Sequence, residues 1–427
     1  MYIGDYLARR ELYSPQTLAI VDAGKTPEWR LTYKQMNQRS NRLANGLGHF
    51  GVVKGDRVAI LARDGVEHLD TFFACCKLGA VHTALNWRLN WQELVGIIHQ
   101  TQPKILVYSD EFSDNVRQLV EALQGAPEAL VQVLHLEGEG IPGSLHFETL
   151  LQAQVDTPVS CESLEAEDIA ALIFTGGTTG FINAAQVSHR MIGWNTLNTV
   201  IHDVTHHDIY LNVFPMFHTG GLFVYTLPQV IFGGTTILIR QFDPVQVLSL
   251  IERERVTVFA GVPTMYQMLT QAANWAQADL SSLRFCTSGG APLPVPLVEQ
   301  YTREKHIRFK QGFGMTEFGP GIFALAPEDA IRKAGSIGRP NFFVDARVVD
   351  DHGAFLGPDQ EGELVLKGPS YCSGYFEDPE ASAAVLDERG FFHTGDIARY
   401  DPEGYFYIVD RKKDMFISGG ENVYPAE

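Results

Sequence analysis

Short apolar runs bounded by polar residues recur along this chain, with stretches of helical spacing between them. DRVAILA (56–62), PKILVYSD (103–110), IAALIFT (169–175) and VTVFAGVP (256–263) are too short for helices and read as buried strands. Between the first two, residues 66–79 read as a helix that Gly79 closes. Residues 33–50 place Met36, Leu43, Leu47 and Phe50 on one helical face. Pro263 suits the first position of the helix that follows it. LRFCTSGGAPLP (283–294) predicts a strand, a Gly-Pro loop and a helix, and HIRFKQGFGMTE (306–317) a strand and then a loop. The alternation predicts an α/β fold. From about Gly338 the texture changes. Short β runs alternate with Asp-His-Gly and Gly-Pro-Asp turns, which predicts hairpins in a small barrel or sheet over 338–410.

Four of these strands run into loops of small and polar residues. In open α/β sheets ligands bind beyond the carboxyl ends of strands, so these loops are the candidate site. The first, TGGTTG, sets Gly176, Gly177 and Gly180 among Thr175, Thr178 and Thr179. Glycines let successive N–H groups converge on an anion, and the threonines add hydroxyl donors. No Gly-Lys-Ser/Thr follows at Walker spacing.

Composition narrows the partners. The 427 residues carry a formal net charge of −18, which repels nucleic acid and anionic membranes. No apolar run reaches the roughly 20 residues of a spanning helix. The first residues, MYIGDYLARRELYSPQ, lack an apolar signal core, so a cytoplasmic setting is expected. The five cysteines have no metal-ligand spacing and suggest no disulfide framework; they are expected to be buried thiols.

Six segments, taken in order, resemble the adenylate-forming superfamily of acyl-CoA synthetases, luciferases and peptide-synthetase adenylation domains. They are TGGTTG (175–180), FPMFHTGG (214–221), SGGAPL (288–293), QGFGMTE (311–317), FHTGD (392–396) and YIVDRKKDMFISGGENVYP (407–425). The resemblance covers essentially the whole chain. It implies the large N-terminal domain of that fold, with two αβ sheet subdomains and a small β-barrel-like subdomain. The reaction implied is activation of a carboxylic acid with ATP to an acyl-adenylate, with loss of pyrophosphate. Thioester formation with coenzyme A follows. Loading of a carrier protein and a non-catalytic nucleotide-binding module stay open as alternatives.

By the same resemblance Phe313 stacks on adenine, with Gly290, Ala291 and Pro292 opposite. Gln311, Gly312, Gly314, Met315 and Ile408 complete the nucleotide surface. Thr316 reaches the α-phosphate, and Glu317 ligates Mg²⁺. Asp396 takes the ribose hydroxyls, and Arg411 the ribose or phosphate oxygens. His218 lies beside the substrate carboxylate, in an acyl pocket with Gly261, Val262, Ser288, Gly289, Gly290 and Gly314. Asp410, Arg411 and Lys412 form a hinge, with residues 1–410 before it. The acid is not specified, although LNWRLNWQEL (85–94) looks more like fatty or aryl acyl-CoA synthetases than peptide-synthetase modules. A homodimer stays open.

Two departures from the family pattern stand out. After Gly180 the family has x-Pro-Lys-Gly, and this chain has Phe181, Ile182, Asn183 and Ala184. The lysine faces the outer phosphates; Asn183 keeps a hydrogen-bond donor and brings no charge. Natural drift, engineering and a sequence error all stay open as its origin. Residues 411–427 read as the hinge and the start of a small C-terminal domain that is otherwise absent. The expectation is a truncated ligase domain that binds nucleotide and turns over poorly.

Overall fold

The structure is a computed structural model that describes residues 3–125, 130–175, 183–199, 203–411, 416–418 and 421–423, by backbone alone from 410 onward. Two αβ sheets and a smaller antiparallel sheet are present among these residues. The larger αβ sheet has nine strands in the spatial order Arg339–Pro340, Gly319–Leu325, Phe309–Met315, Phe285–Ser288, Val258–Gly261, Ile209–Asn212, Thr235–Leu238, Leu18–Asp22 and Trp29–Thr32. Its middle strands are parallel. The seven-stranded sheet runs Leu145–His146, Gln132–His135, Ile105–Tyr108, Arg57–Leu61, Val81–Ala84, Ile169–Thr175 and Asn183–Ser188. Parallel strands covered on both faces need apolar residues at every position, so VAIL, ILVY and VFAG read as unbroken runs.

Local chemistry sets the helix ends. Thr32 and Gln35 close a capping box on helix Tyr33–His49, and Asn90 and Glu93 do so on Trp91–Thr101. Met36, Leu43 and Leu47 are buried as expected, and Phe50 falls just past the helix, half-buried. Helix Val66–Leu78 stops at Gly79, whose φ of 71° is open to glycine at no steric cost. Pro263 opens helix Pro263–Thr270.

One apolar cluster joins the two αβ sheets. It sets Ala19, Ile20 and Leu238 of one against Ala171, Ile173 and Val187 of the other, with Phe72, Phe73 and Met191 from helices between them. The third sheet is open and antiparallel, in the order Asp345–Val349, Gly362–Lys367, Phe392–Tyr400 and Phe406–Arg411. Its core packs Leu364, Leu366 and Phe406 on Phe318, Ile322 and Phe323. The whole is an α/β fold with a half-barrel unit, the architecture that the resemblance implies.

One local expectation is corrected. Residues 312–315 continue strand Phe309–Met315 instead of forming a loop, and they pair with Gly319–Leu325. Gly314 is there for close approach, since a Cβ on it would overlap Pro320. The pairing shifts register between Phe313 and Met315, as a bulge does. Four of the five cysteines are buried, and all five are free thiols. Among the described residues no helix is long and apolar enough to cross a membrane.

Candidate active site

The carboxyl ends of strands from both αβ sheets open into one cavity of about 1840 Å³. Its wall includes Thr175, Asn183, His218, Val262, Gly289, Gly290, Ala291, Pro292, Gln311, Gly312, Phe313, Gly314, Met315, Thr316, Glu317, Asp396 and Ile408. Residues scattered over more than two hundred positions of sequence therefore face one space. Gly261 and Ser288 do not line it. Side chains alternate across a strand, so Ala260, Val262, Thr287 and Gly289 face the cavity while Gly261 and Ser288 point away from it.

Two glycines keep the wall bare. A Cβ on Gly289 would meet only Gly312 O at 3.4 Å, and one on Gly312 nothing nearer than Phe323 O at 3.8 Å. Space, not protein, lies where their side chains would be, and a planar ring fits against such backbone. Gly290 has a φ of 78°, which turns the chain from strand Phe285–Ser288 into the loop that carries Ala291 and Pro292. Phe313 rests edge-on against Phe323, with centroids 5.8 Å apart.

Two of the acidic groups on the wall fall in the motifs, Asp396 and Glu317. Asp396 is 2% exposed, and its backbone N–H donates to Thr394 Oγ1 at 3.0 Å. In the antiparallel pair it lies opposite Arg411. Glu317 Oε1 accepts a hydrogen bond from the Tyr375 hydroxyl at 2.9 Å. No group of three or more His, Cys, Asp or Glu among the described residues could hold a metal ion by itself. Glu317 beside the Thr316 hydroxyl nevertheless offers hard oxygen donors. That set fits Mg²⁺, which takes one or two carboxylates and fills its shell with phosphate oxygens and water.

His218 lines the same cavity. Its Nδ1 accepts from Gly220 N–H at 3.1 Å, which leaves the ring hydrogen on Nε2. Burial, and then the Arg88 guanidinium, hold its pKa down to about 4. A folded pKa below the unfolded one means that the unfolded chain binds the proton more readily. The contribution of neutral His218 to stability is therefore complete above about 6.5 and is lost as pH falls toward 4. The expected result is a neutral Nε2–H imidazole in ¹⁵N-edited spectra from about pH 8 to about pH 5, on both sides of the usual His value. A half-charged His218 near pH 6.5 would contradict it.

The sequence reading passed over part of the wall. Asp64, Trp87, Arg88, Tyr225 and Arg240 all line the cavity. The Arg88 guanidinium lies over the Trp87 ring at 4.4 Å and over Phe217 at 5.5 Å. Asp64 Oδ1 accepts from Met216 N–H at 2.8 Å, and burial raises its pKa to about 7. Asp64, Arg88 and Arg240 each follow the end of a parallel strand. The strand-end rule, applied to every strand, would have found them. Residues 176–182 and Lys412 lie outside the described residues, as do the side chains of Asp410 and Arg411.

This cavity at the strand ends of two αβ sheets, with glycine backbone in its wall, agrees with the resemblance to the adenylate-forming enzymes. The chain belongs to the AMP-binding enzyme family, which it matches over residues 8–376. It is 39% identical over 427 residues to the feruloyl-CoA synthase of Amycolatopsis sp, spanning all of this chain and 82% of that protein. It is 37% identical over 435 residues to the long-chain-fatty-acid–CoA ligase FadD13 of Mycobacterium tuberculosis, again spanning all of this chain and 82% of that one. Among solved structures, the inhibitor-bound N-terminal domain of FACL13 from Mycobacterium tuberculosis aligns with a TM-score of 0.89 at 32% identity, over 96% of this chain and 100% of that one.

Proposed function

We propose that this chain is the adenylating unit of an acid–CoA ligase. A carboxylate attacks the α-phosphorus of ATP, acyl-adenylate forms and pyrophosphate leaves; the thiol of coenzyme A then displaces AMP. Residues 1–410 form the unit, 338–410 its β-rich part, and Asp410 to Lys412 the hinge. The observation that carries the reading is convergence: Gly289 to Pro292, Gln311 to Glu317, Asp396 and Ile408 share one cavity with His218.

Each side chain has a task in that reading. Phe313 and the Gly290–Pro292 backbone sandwich adenine, and Asp396 accepts from the ribose hydroxyls. Thr316 donates to the α-phosphate, where charge builds up during attack. Glu317 would hold Mg²⁺, which when bound neutralises phosphate charge. Neutral His218 presents Nε2–H toward the acid and so binds its carboxylate as an uncharged hydrogen-bond donor.

The test is pyrophosphate release that requires both ATP and an acid. Ferulate, indoleacetate and long-chain fatty acids are the first acids to try, because relatives of this chain are named for them. One of them is expected to drive release and give a hydroxamate on trapping. No release with any acid, together with no binding of AMP, would reject the reading. Asn183, which brings no charge to the cavity wall, favours a second one: a module that binds nucleotide or acyl-adenylate without turnover. Tight binding of an acyl-sulfamoyl adenosine with no pyrophosphate release would select it.

A further inference from the structure

Residues 372–376 touch two parts of the fold that the sequence keeps far from them and from each other. Cys372 N–H donates to Glu317 O at 2.7 Å, just past the nine-stranded sheet's strand Phe309–Met315. Ser373 N–H donates to Gln186 O and Gln186 N–H to Gly374 O, both at 2.9 Å, and Phe376 N–H donates to Ala184 O at 2.8 Å. Tyr375 bridges Ala185 in antiparallel fashion. The segment thus adds a short rung to Asn183–Ser188, the last strand at that edge of the seven-stranded sheet. That strand begins at Asn183, which faces the cavity.

The rung is held from its other side as well. Tyr375 N–H donates to Ser382 Oγ at 2.8 Å. Gly374, with a φ of 98°, leaves room there, since a Cβ would lie 2.7 Å from that oxygen. Tyr375 is 8% exposed, and its hydroxyl donates to Glu317 Oε1 at 2.9 Å. A backbone fixed by four neighbours therefore aims one phenol at one carboxylate. A hydrogen bond from a largely buried phenol to a charged group restricts that group's rotation, and fixing a ligand's orientation is how metal sites are tuned.

We infer that Tyr375 is a positioning residue: it holds the Glu317 carboxylate at the angle that meets a nucleotide-borne cation, and its rung ties that carboxylate to the strand beginning at Asn183. Both sides of the phosphate region then keep one spacing. The inference rests on the proposed adenylating role and adds to it a residue outside every motif that resembles the family.

Tyr375→Phe keeps the ring and its packing and removes the donor. Binding of ATP is measured by calorimetry with EDTA and with Mn²⁺, and Mn²⁺ itself by electron paramagnetic resonance. The expected result is a loss on the order of tenfold in Mn²⁺–ATP affinity, with metal-free ATP and AMP unchanged. In a Glu317→Gln background, Tyr375→Phe should add nothing. An equal loss for all ligands, or the same loss in both backgrounds, would make Tyr375 merely structural and overturn the inference. A wild-type Mn²⁺ response that disappears in Glu317→Gln but survives intact in Tyr375→Phe would overturn it alone. No Mn²⁺ response in the wild-type chain would remove the metal role of Glu317, and this inference with it.

Discussion

Asp396→Ala is expected to lower AMP affinity by at least about two decades. The reasoning starts from burial. Asp396 is 2% exposed in strand Phe392–Tyr400, on the wall of the cavity. A ribose edge presents two hydroxyl donors to a carboxylate on that wall. Each hydrogen bond to a charged group is worth about 1.5–3 kcal/mol. Two at the low end give about 3 kcal/mol, which is about two decades. Asp396→Asn keeps an acceptor and loses the charge, so it should fall between wild type and alanine. Calorimetric titration with AMP reads all three proteins. AMP affinity within about threefold of wild type for the alanine variant would place the ribose elsewhere. The same variant should leave unfolding of the ligand-free chain cooperative, because the strand's backbone pairing with Gly362–Lys367 and Phe406–Arg411 does not use this side chain.

How far such a site can be read from sequence depends on the range of the physics involved. Strands such as Arg57–Leu61 and Val258–Gly261 are legible because burial on both faces writes an unbroken apolar run. Helix ends at Gly79 and Pro263 are legible because capping is settled within a few residues. Sheet order is not local. Leu18–Asp22 lies beside Thr235–Leu238, and nothing in either run names its partner. Gly314 reads as loop from sequence because glycine marks turns and close approaches alike; only the position of Pro320 decides between them. The residues in and behind the wall divide the same way. His218, Thr316, Glu317 and Asp396 line the cavity and stand in motifs, whereas Tyr225 on the wall and Tyr375 behind it reach their partners by tertiary contact alone. Tyr225 meets Thr287 Oγ1 at 2.8 Å, across a separation of 62 residues.

Asn183→Lys is expected to raise ATP affinity by one to two decades and to leave AMP affinity unchanged. Asn183 begins its strand opposite Thr175, at the mouth of the hairpin whose two ends face the cavity. Thr175 Oγ1 donates to Asn183 O at 3.3 Å, a contact of the backbone that a new side chain does not disturb. An ammonium there would add one charge-assisted contact to the outer phosphates, about 1.5–3 kcal/mol. AMP has no outer phosphates, so the difference between the two ligands isolates the effect from any change in folding. The gain should shrink as salt rises, because a partly exposed charge pair is screened within about 10 Å at 0.1 M. If AMP and ATP tighten together, the new charge acts on the α-phosphate or through the general field of a chain with a net charge of −18. If neither changes, the hairpin does not face a triphosphate, and the glycines and threonines before Asn183 must be explained by something other than an anion. If ATP alone tightens and pyrophosphate release rises with it, the uncharged residue at 183 is what holds turnover down, and the rest of the adenylating machinery is in working order.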